Sequence, residues 1–381
     1  MLLGRSDRGL LAQWWFTVDR GLMSAVLLLM AAGVLISMAA SPPVAERIGL
    51  DSFHFFKSQL IYLFPAVMVL VTLSFFTPRQ ARRFGLALFL GSLLLMVAAL
   101  LWGPEIKGAH RWISFGPLNL QPSELAKPGF VVVAAWFLSE HTKRPEMPAQ
   151  YLAFALAAVF FGLLLLQPDF GQTVLMILTF GAMLLIYGIP WVVVAGLAGL
   201  GAAGVLMAYA AVAHVRSRID RFLDPDKGDT FQVDTAIQAF ENGGLMGTGP
   251  GGGAAKRILP DAHTDFTFAV VGEEFGLVAC LLLMALFAFI VLRILARAKA
   301  EPDPFPALAM SGLALVFGFQ AIINMGVNVA LLPAKGMTLP FISYGGSSLI
   351  GMALAMGFVL ALGRRRPGAQ VRAEAHTPAY A

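Results

Sequence analysis

Ten stretches of mostly apolar residues follow one another along this chain, at positions 21–40, 60–76, 84–102, 123–138, 151–166, 173–189, 191–212, 266–292, 305–332 and 339–362. A helix needs ~20 apolar residues to cross the ~30 Å hydrocarbon layer of a bilayer. Backbone polar groups in lipid must be satisfied within the protein, which leaves helices and closed barrels as spanning forms. The runs are continuous, so they exclude a barrel, whose strands alternate apolar and polar residues. The expected fold class is all-α: a polytopic integral membrane protein of ten transmembrane helices. Composition agrees, with 58% hydrophobic and only 13% charged residues, about half the charge of a soluble domain. The sixth and seventh runs are parted only by the breaker Gly188-Ile-Pro190.

Lys and Arg set orientation. With the N-terminus inside, the inner segments hold 15 of them and the short outer loops hold 5. That bias puts both termini in the cytoplasm. It puts the large loop 213–264, between the seventh and eighth runs, on the extracytoplasmic side. The expected domains are a cytoplasmic segment 1–20, a ten-helix membrane domain 21–363 and a cytoplasmic tail 364–381 that lacks apolar periodicity. The first run is long for a signal peptide and further runs follow at once, so it reads as a retained span. The net charge of +5 comes mostly from residues flanking apolar runs. The expected surroundings are a lipid bilayer, with no nucleic-acid partner. The single cysteine, Cys280, lies inside a run and reads as a small buried hydrophobe.

Ionisable groups near lipid cost energy and mark function. Asp265 stands where the polar loop meets the eighth run, with His263 and Thr264 beside it and Glu273 and Glu274 further along the helix. In the first large outer loop, Lys107 and Arg111 supply cations, and Arg111 has a planar fork suited to phosphate. Trp112 is an interfacial anchor or a stacking surface for a sugar. Lys335 lies in the last outer loop. Glu124 and Lys127, three apart, share a helix face and can pair, either to pin helices or to meet a ligand. Asp169 caps the helix of the sixth run or orients a cation. Gln320, Asn324 and Asn328 recur every four residues, a stripe suited to interhelical packing or a cavity wall. Residues 234–241 read as a short helix in the long loop. Gly247-Thr-Gly-Pro-Gly-Gly252 fits G-x-G-x-x-G, but no strand precedes it, so a dinucleotide site is rejected. The glycines read as a flexible close-approach loop beside the active surface, or as a plain hinge.

A carboxylate base among cations suits transfer of a sugar from a lipid pyrophosphate. The base takes a proton from an acceptor hydroxyl. The cations, with a divalent metal as further aid, steady the departing pyrophosphate. The same residues also suit a proton-coupled transporter, and composition does not decide between the two. Candidates for substrate binding are Lys107, Arg111, Trp112, His263, Thr264 and Lys335. Candidates for shaping the cavity are Glu124, Lys127, Asp169, Glu273, Glu274 and Asn324.

At these residues the chain resembles the SEDS family of cell-wall polymerases (shape, elongation, division and sporulation), over nearly its whole length. The motifs are Lys107-Gly-Ala-His-Arg-Trp112, Gln121-Pro-Ser-Glu-Leu-Ala-Lys127, Gln167-Pro-Asp-Phe-Gly171, His263-Thr-Asp-Phe-Thr-Phe268 with Glu273-Glu-Phe-Gly276, and Leu339-Pro-Phe-Ile-Ser-Tyr-Gly-Gly-Ser-Ser348. Leu332-Pro-Ala-Lys-Gly-Met-Thr-Leu-Pro340 and Trp14-Trp-Phe-Thr-Val-Asp-Arg20 are similar to the division branch, the latter to alphaproteobacterial members. The rod-elongation branch is the alternative. Thr267 departs from the family pattern, where Ile or Val is expected.

The resemblance implies a peptidoglycan glycosyltransferase. It would polymerise lipid II into β-1,4 glycan at the outer face of the bacterial inner membrane, at the division septum. The mechanism would be inverting, with Asp265 matching the family's essential aspartate as general base. The implied partners are a class B penicillin-binding transpeptidase (FtsI-like) and other divisome proteins. A divalent cation, Mg2+ or Mn2+, is an expected cofactor with no assigned site. A lipid II flippase is the rival activity, and a scaffold that only recruits the transpeptidase is a third.

Overall fold

The computed structural model describes residues 9–106, 108–115, 118–211, 216, 231–333 and 336–364. Lys107 and Lys335 lie outside the described residues, as do 213–215 and 217–230 of the long loop and nearly all of the tail.

The chain begins with a short helix α1 (Leu10–Thr17), then α2 (Arg20–Arg47), α3 (His54–Ser74) and α4 (Pro78–Trp102). A small hairpin, β1 (Ile113–Phe115) and β2 (Leu118–Leu120), pairs antiparallel with Ile113 opposite Leu120. Next come α5 (Pro122–Lys143), α6 (Ala149–Leu166), α7 (Phe170–Tyr187) and α8 (Trp191–Ala211). The long loop contributes α9 (Phe231–Gly243) and α10 (Ala255–Ile258). Three helices finish the bundle: α11 (Thr267–Lys299), α12 (Pro304–Asn328) and α13 (Gly346–Leu362).

Each of the ten apolar runs coincides with one of the long helices. Seven of the described helices (α2, α3, α4, α6, α7, α11 and α12) are long and apolar enough to cross a membrane by length and composition. The chain is a multi-pass, almost wholly helical membrane protein. The hairpin is a small addition to the all-α expectation, paired in the loop between α4 and α5.

Local chemistry sets the helix ends. Asp19 accepts the Leu22 amide at 3.0 Å to start α2. Thr77 and Gln80 form a reciprocal capping box at α4, with Pro78 in the first turn. Asp303 accepts the Phe305 amide at 3.2 Å to start α12. Gly188 ends α7 in a left-handed conformation (φ 101°), and α8 starts just beyond Pro190, so the predicted break holds.

The last run departs from its expected bounds. The stretch 339–345 is a loop in which Phe341 has φ 64° and Ser343 Oγ accepts the Leu339 amide at 2.9 Å. The helix therefore starts at Gly346 rather than at residue 339.

α5, α12 and α13 form the centre of the bundle. In α12, 72% of the apolar window is buried, against 22% in α3, whose outer side carries Ile61, Phe64 and Met68 exposed. Exposed apolar side chains on the outer helices face lipid, which needs no polar cover. The centre also holds a buried polar network. Lys127 Nζ meets Glu124 at 2.8 Å, Gln172 Oε1 at 3.0 Å and Gln320 Oε1 at 2.8 Å. Gln172 Nε2 donates back to Glu124 at 2.6 Å. Ion pairing plus hydrogen bonds is the condition under which charges survive in a low-dielectric interior.

Candidate active site

The turn that carries Asp265 is built from its own backbone. Asp261 adopts φ 54°, and its carbonyl accepts the amides of Thr264 (3.0 Å), Asp265 (3.0 Å) and Phe266 (3.3 Å). Two asparagines of α12 then grip the next corner. Asn324 Nδ2 and Asn328 Nδ2 each donate to the Asp265 carbonyl at 2.9 Å. Asn324 also donates to the Met337 carbonyl at 2.6 Å, which brings the loop after α12 alongside. A Cβ placed on Gly336 would stand 3.6 Å from Asp265 Oδ2, so that loop borders the carboxylate.

Asp265 opens into a cavity of about 300 Å3. Arg111 and Trp112 line it from the loop after α4, Asp169 from the start of α7, and Gln232 from α9. Asp261, Asn324 and Gly336 complete the polar part of the wall. Arg111 is only loosely held. Its Nη1 lies 3.7 Å from Asp169 Oδ1, beyond hydrogen-bond length, and its buried Nε–H has no acceptor. A buried guanidinium N–H without an acceptor is costly, and an incoming anion would relieve it.

Asp169 sits in the break between α6 and α7. It accepts Gln121 Nε2 at 3.1 Å and caps α7 through the Gln172 amide at 3.5 Å. Burial pushes its carboxyl above the usual carboxylate range. The Arg111 charge opposes that shift, and Glu124 adds to it.

The cell cycle protein family that joins FtsW, RodA and SpoVE matches residues 20–367. The chain belongs to this family, the SEDS proteins. It is 44% identical to a probable peptidoglycan glycosyltransferase FtsW of Caulobacter vibrioides (strain NA1000 / CB15N), over 96% of this chain and 94% of that one. It is 37% identical to the protein of the same name from Tolumonas auensis, over 90% and 91%. Among solved structures, it is similar to a chain described under structural coordination of polymerization and crosslinking by a peptidoglycan synthase complex. That match has a TM-score of 0.74 at 30% identity and covers 92% of this chain and 98% of that one. The rod shape determining protein RodA of Thermus thermophilus aligns with a TM-score of 0.67 at 30% identity, over 92% and 97%.

In this SEDS chain, Asp265, Arg111, Trp112, Asp169 and Asn324 share one cavity, although the sequence scatters them over more than two hundred positions. Other candidates stand off it. His263 was expected to contact substrate. Its ring instead stacks on Phe55 at 4.0 Å, and its carbonyl accepts the Tyr344 amide at 2.9 Å. Thr264 Oγ1 turns back to the Asp261 carbonyl at 3.2 Å. Both residues shape the turn and neither lines the cavity.

Glu273 and Glu274 are likewise buried scaffolding. Glu273 accepts the amides of Ala254, Ala255 and Lys256 at 2.8, 2.7 and 3.2 Å. Glu274 pairs with Lys256, which also donates to the Ala39 carbonyl at 3.1 Å. The two glutamates therefore hold the segment that leads into the Asp265 turn. Glu124 and Lys127 belong to the buried network of the bundle centre, not to the cavity lining.

The glycine cluster is not a loose loop beside the site. The amides of Thr248 and Gly249 donate to the carbonyls of Glu273 and Glu274 at 2.9 and 3.0 Å.

Two polar side chains of the cavity wall, Asp261 and Gln232, were not among the candidates read from sequence. Asp261 is four residues before Asp265, a spacing that could have flagged it. Gln232 carries no local signal beyond lying at the start of a loop helix.

Among the described residues, no group of three or more His, Cys, Asp or Glu side chains could hold a metal ion.

Proposed function

We propose that this chain is a peptidoglycan glycosyltransferase that polymerises lipid II during cell division. The observation that carries the reading is the meeting, in one cavity, of the Asp265 carboxylate and the incompletely paired Arg111 guanidinium. In the proposed reaction Asp265 takes the proton of the acceptor 4-hydroxyl. The freed oxygen attacks the anomeric carbon of the donor sugar from the face opposite its pyrophosphate. The bond from that carbon to the pyrophosphate oxygen breaks, configuration inverts to β-1,4, and undecaprenyl pyrophosphate leaves.

Arg111 meets the pyrophosphate with its free N–H groups, as a fixed fork suits phosphate. Trp112 offers a face for a sugar ring. A divalent cation, Mg2+ or Mn2+, would be held largely by the substrate's own pyrophosphate and would supply charge stabilisation to that leaving group. That is the mode in which Mg2+ uses one or two carboxylates plus phosphate oxygens, and no step above depends on it.

The setting proposed is the bacterial inner membrane at the septum, with both termini cytoplasmic and the cavity facing outward. The charge bias along the sequence supports that orientation, and the FtsW names of the relatives support division over rod elongation. A class B penicillin-binding transpeptidase is the proposed partner, alongside other division proteins. The peptidoglycan synthase complex of the structural neighbour supports it.

The test is the purified chain with that transpeptidase, lipid II and a divalent cation. The parent should make glycan and Asp265→Asn should make none. Equal rates for the two would overturn the assignment. Movement of lipid II across vesicles with no glycan made would favour the flippase instead.

A further inference from the structure

At the end of the bundle away from the cavity, α4 opens with three arginines in its first two turns: Arg79, Arg82 and Arg83. They are four, three and one residues apart, so two pairs repel along one helix face. They also sit at the positive end of the helix dipole, where cations are disfavoured. No carboxylate among the described residues pairs with any of them. Asp303 is taken by Lys143 at 2.9 Å and by the Phe305 amide, and Glu140 by Arg144 at 3.6 Å.

Charge of this kind at a helix start would serve topology anywhere in the flanking loop. Here one arginine is built into a pocket. The Arg82 guanidinium lies 5.5 Å from the ring of Trp136 on α5 and 5.2 Å from the ring of Phe305 on α12. Both distances are within cation–π range, so the two rings hold the cation between α5 and α12. Arg82 is half-buried, and its side chain makes no hydrogen bond to the described residues. Arg79 and Arg83 are exposed on the neighbouring face of the helix. Directly along α4 the surface turns apolar and lipid-facing, with Phe84, Leu90 and Leu94 exposed.

We propose that this corner binds the headgroup of an anionic phospholipid. The phosphate is received by the fork of Arg82 and flanked by Arg79 and Arg83, and the acyl chains run down the exposed face of α4. The apolar strip joined to the cations selects a lipid over free phosphate or an acidic protein segment. Basic pockets between spanning helices at a cytoplasmic surface are a known setting for such headgroups.

Native mass spectrometry of the full-length chain, offered equal phosphatidylglycerol and phosphatidylcholine, tests this. The parent should retain phosphatidylglycerol at least fivefold over phosphatidylcholine. Arg82→Gln should lower that retention at least threefold. So should the double variant Arg79→Gln with Arg83→Gln, whose exposed positions leave folding intact. Arg82→Lys should fall between the parent and Arg82→Gln, because it keeps charge and loses the planar fork. Equal retention of the two lipids overturns the proposal, as does unchanged retention in both glutamine variants. Displacement of phosphatidylglycerol by equimolar inorganic phosphate, or by an acidic peptide, also overturns it.

Discussion

Backbone contacts hold Asp265 in place, through the Asp261 turn and the asparagines of α12. Asn328 is the strongest of them: it donates to the Asp265 and Asn324 carbonyls, and its Oδ1 accepts the Ala269 amide at 3.0 Å. Asn328→Leu removes these three hydrogen bonds, at about 0.5–1.5 kcal/mol each, and leaves the Asp265 carbonyl to Asn324 and the Ala269 amide to the Phe266 carbonyl. A shift of about 1 Å at a catalytic group can cost about a hundredfold in rate. Asn328→Leu should therefore lower both the unfolding midpoint and the polymerisation rate of the protein that remains folded. A lowered midpoint with an unchanged rate per folded molecule would show that Asn328 stabilises without positioning. Far from the site, Asp19 gives a pH prediction. Burial alone would raise its carboxyl. The Arg293 hydrogen bonds and the Leu22 amide, with Arg297 further on, outweigh it and hold the group below its ordinary 3.8. A depressed carboxylate adds stability above the unfolded value, and that stability is lost as pH falls through the folded value. The parent's unfolding midpoint should thus drop more steeply below about pH 4 than that of Asp19→Asn, followed by thermal unfolding in detergent.

Among the elements, α11 shows why some features read directly from sequence and others do not. Its apolar run marks the helix, because lipid demands a continuous hydrophobic stretch. The break at Gly276 (φ 77°, ψ −178°) left no such mark, because its cause is tertiary. There the amides of Leu277 and Val278 donate to the carbonyls of Gly244 and Leu245 at 2.9 and 3.3 Å, so the glycine cluster closes the ladder that the helix opens. A Cβ on Gly276 would collide with the Gly247 nitrogen and the Leu245 carbonyl. The same logic covers His263 and Thr264. Proximity in sequence to Asp265 suggested substrate contact, but a tight turn points neighbouring side chains different ways. Arg111 and Asp169 were legible as chemistry and illegible as neighbours of Asp265, since only the packing of α5, α7 and α12 brings them together. Gly276→Ala should lower stability by at least about 1–3 kcal/mol, the cost of holding a side chain in a glycine-only region. Gly91→Ala is the control: it is helical with open space around it, and should be neutral or stabilising by up to about 1 kcal/mol. Equal unfolding midpoints for the two variants would mean that the break is not strained.

For the molecule as a whole, the question is what locks a bundle whose outer surfaces gain little by meeting one another in lipid. The buried network answers it, because Glu124 and Lys127 on α5, Gln172 on α7 and Gln320 on α12 bond to one another in the interior. Such a network ties three helices into one arrangement. Any other packing would keep the intrahelical Glu124–Lys127 pair but strip it of the Gln172 and Gln320 hydrogen bonds that buried charges need. Lys127→Met removes the cation and leaves the Glu124 carboxylate buried, a loss of about 3–5 kcal/mol. Glu124→Met does the same to Lys127. The double variant removes both charges and leaves only the amide groups of Gln172 and one acceptor of Gln320 without their partners. It should therefore lose less than the two single losses added together, and less than Lys127→Met alone. Unfolding midpoints of the four proteins in one detergent close the double-mutant cycle. Losses that simply add would show that the two charges act independently, each held by its own glutamine contacts rather than by the other.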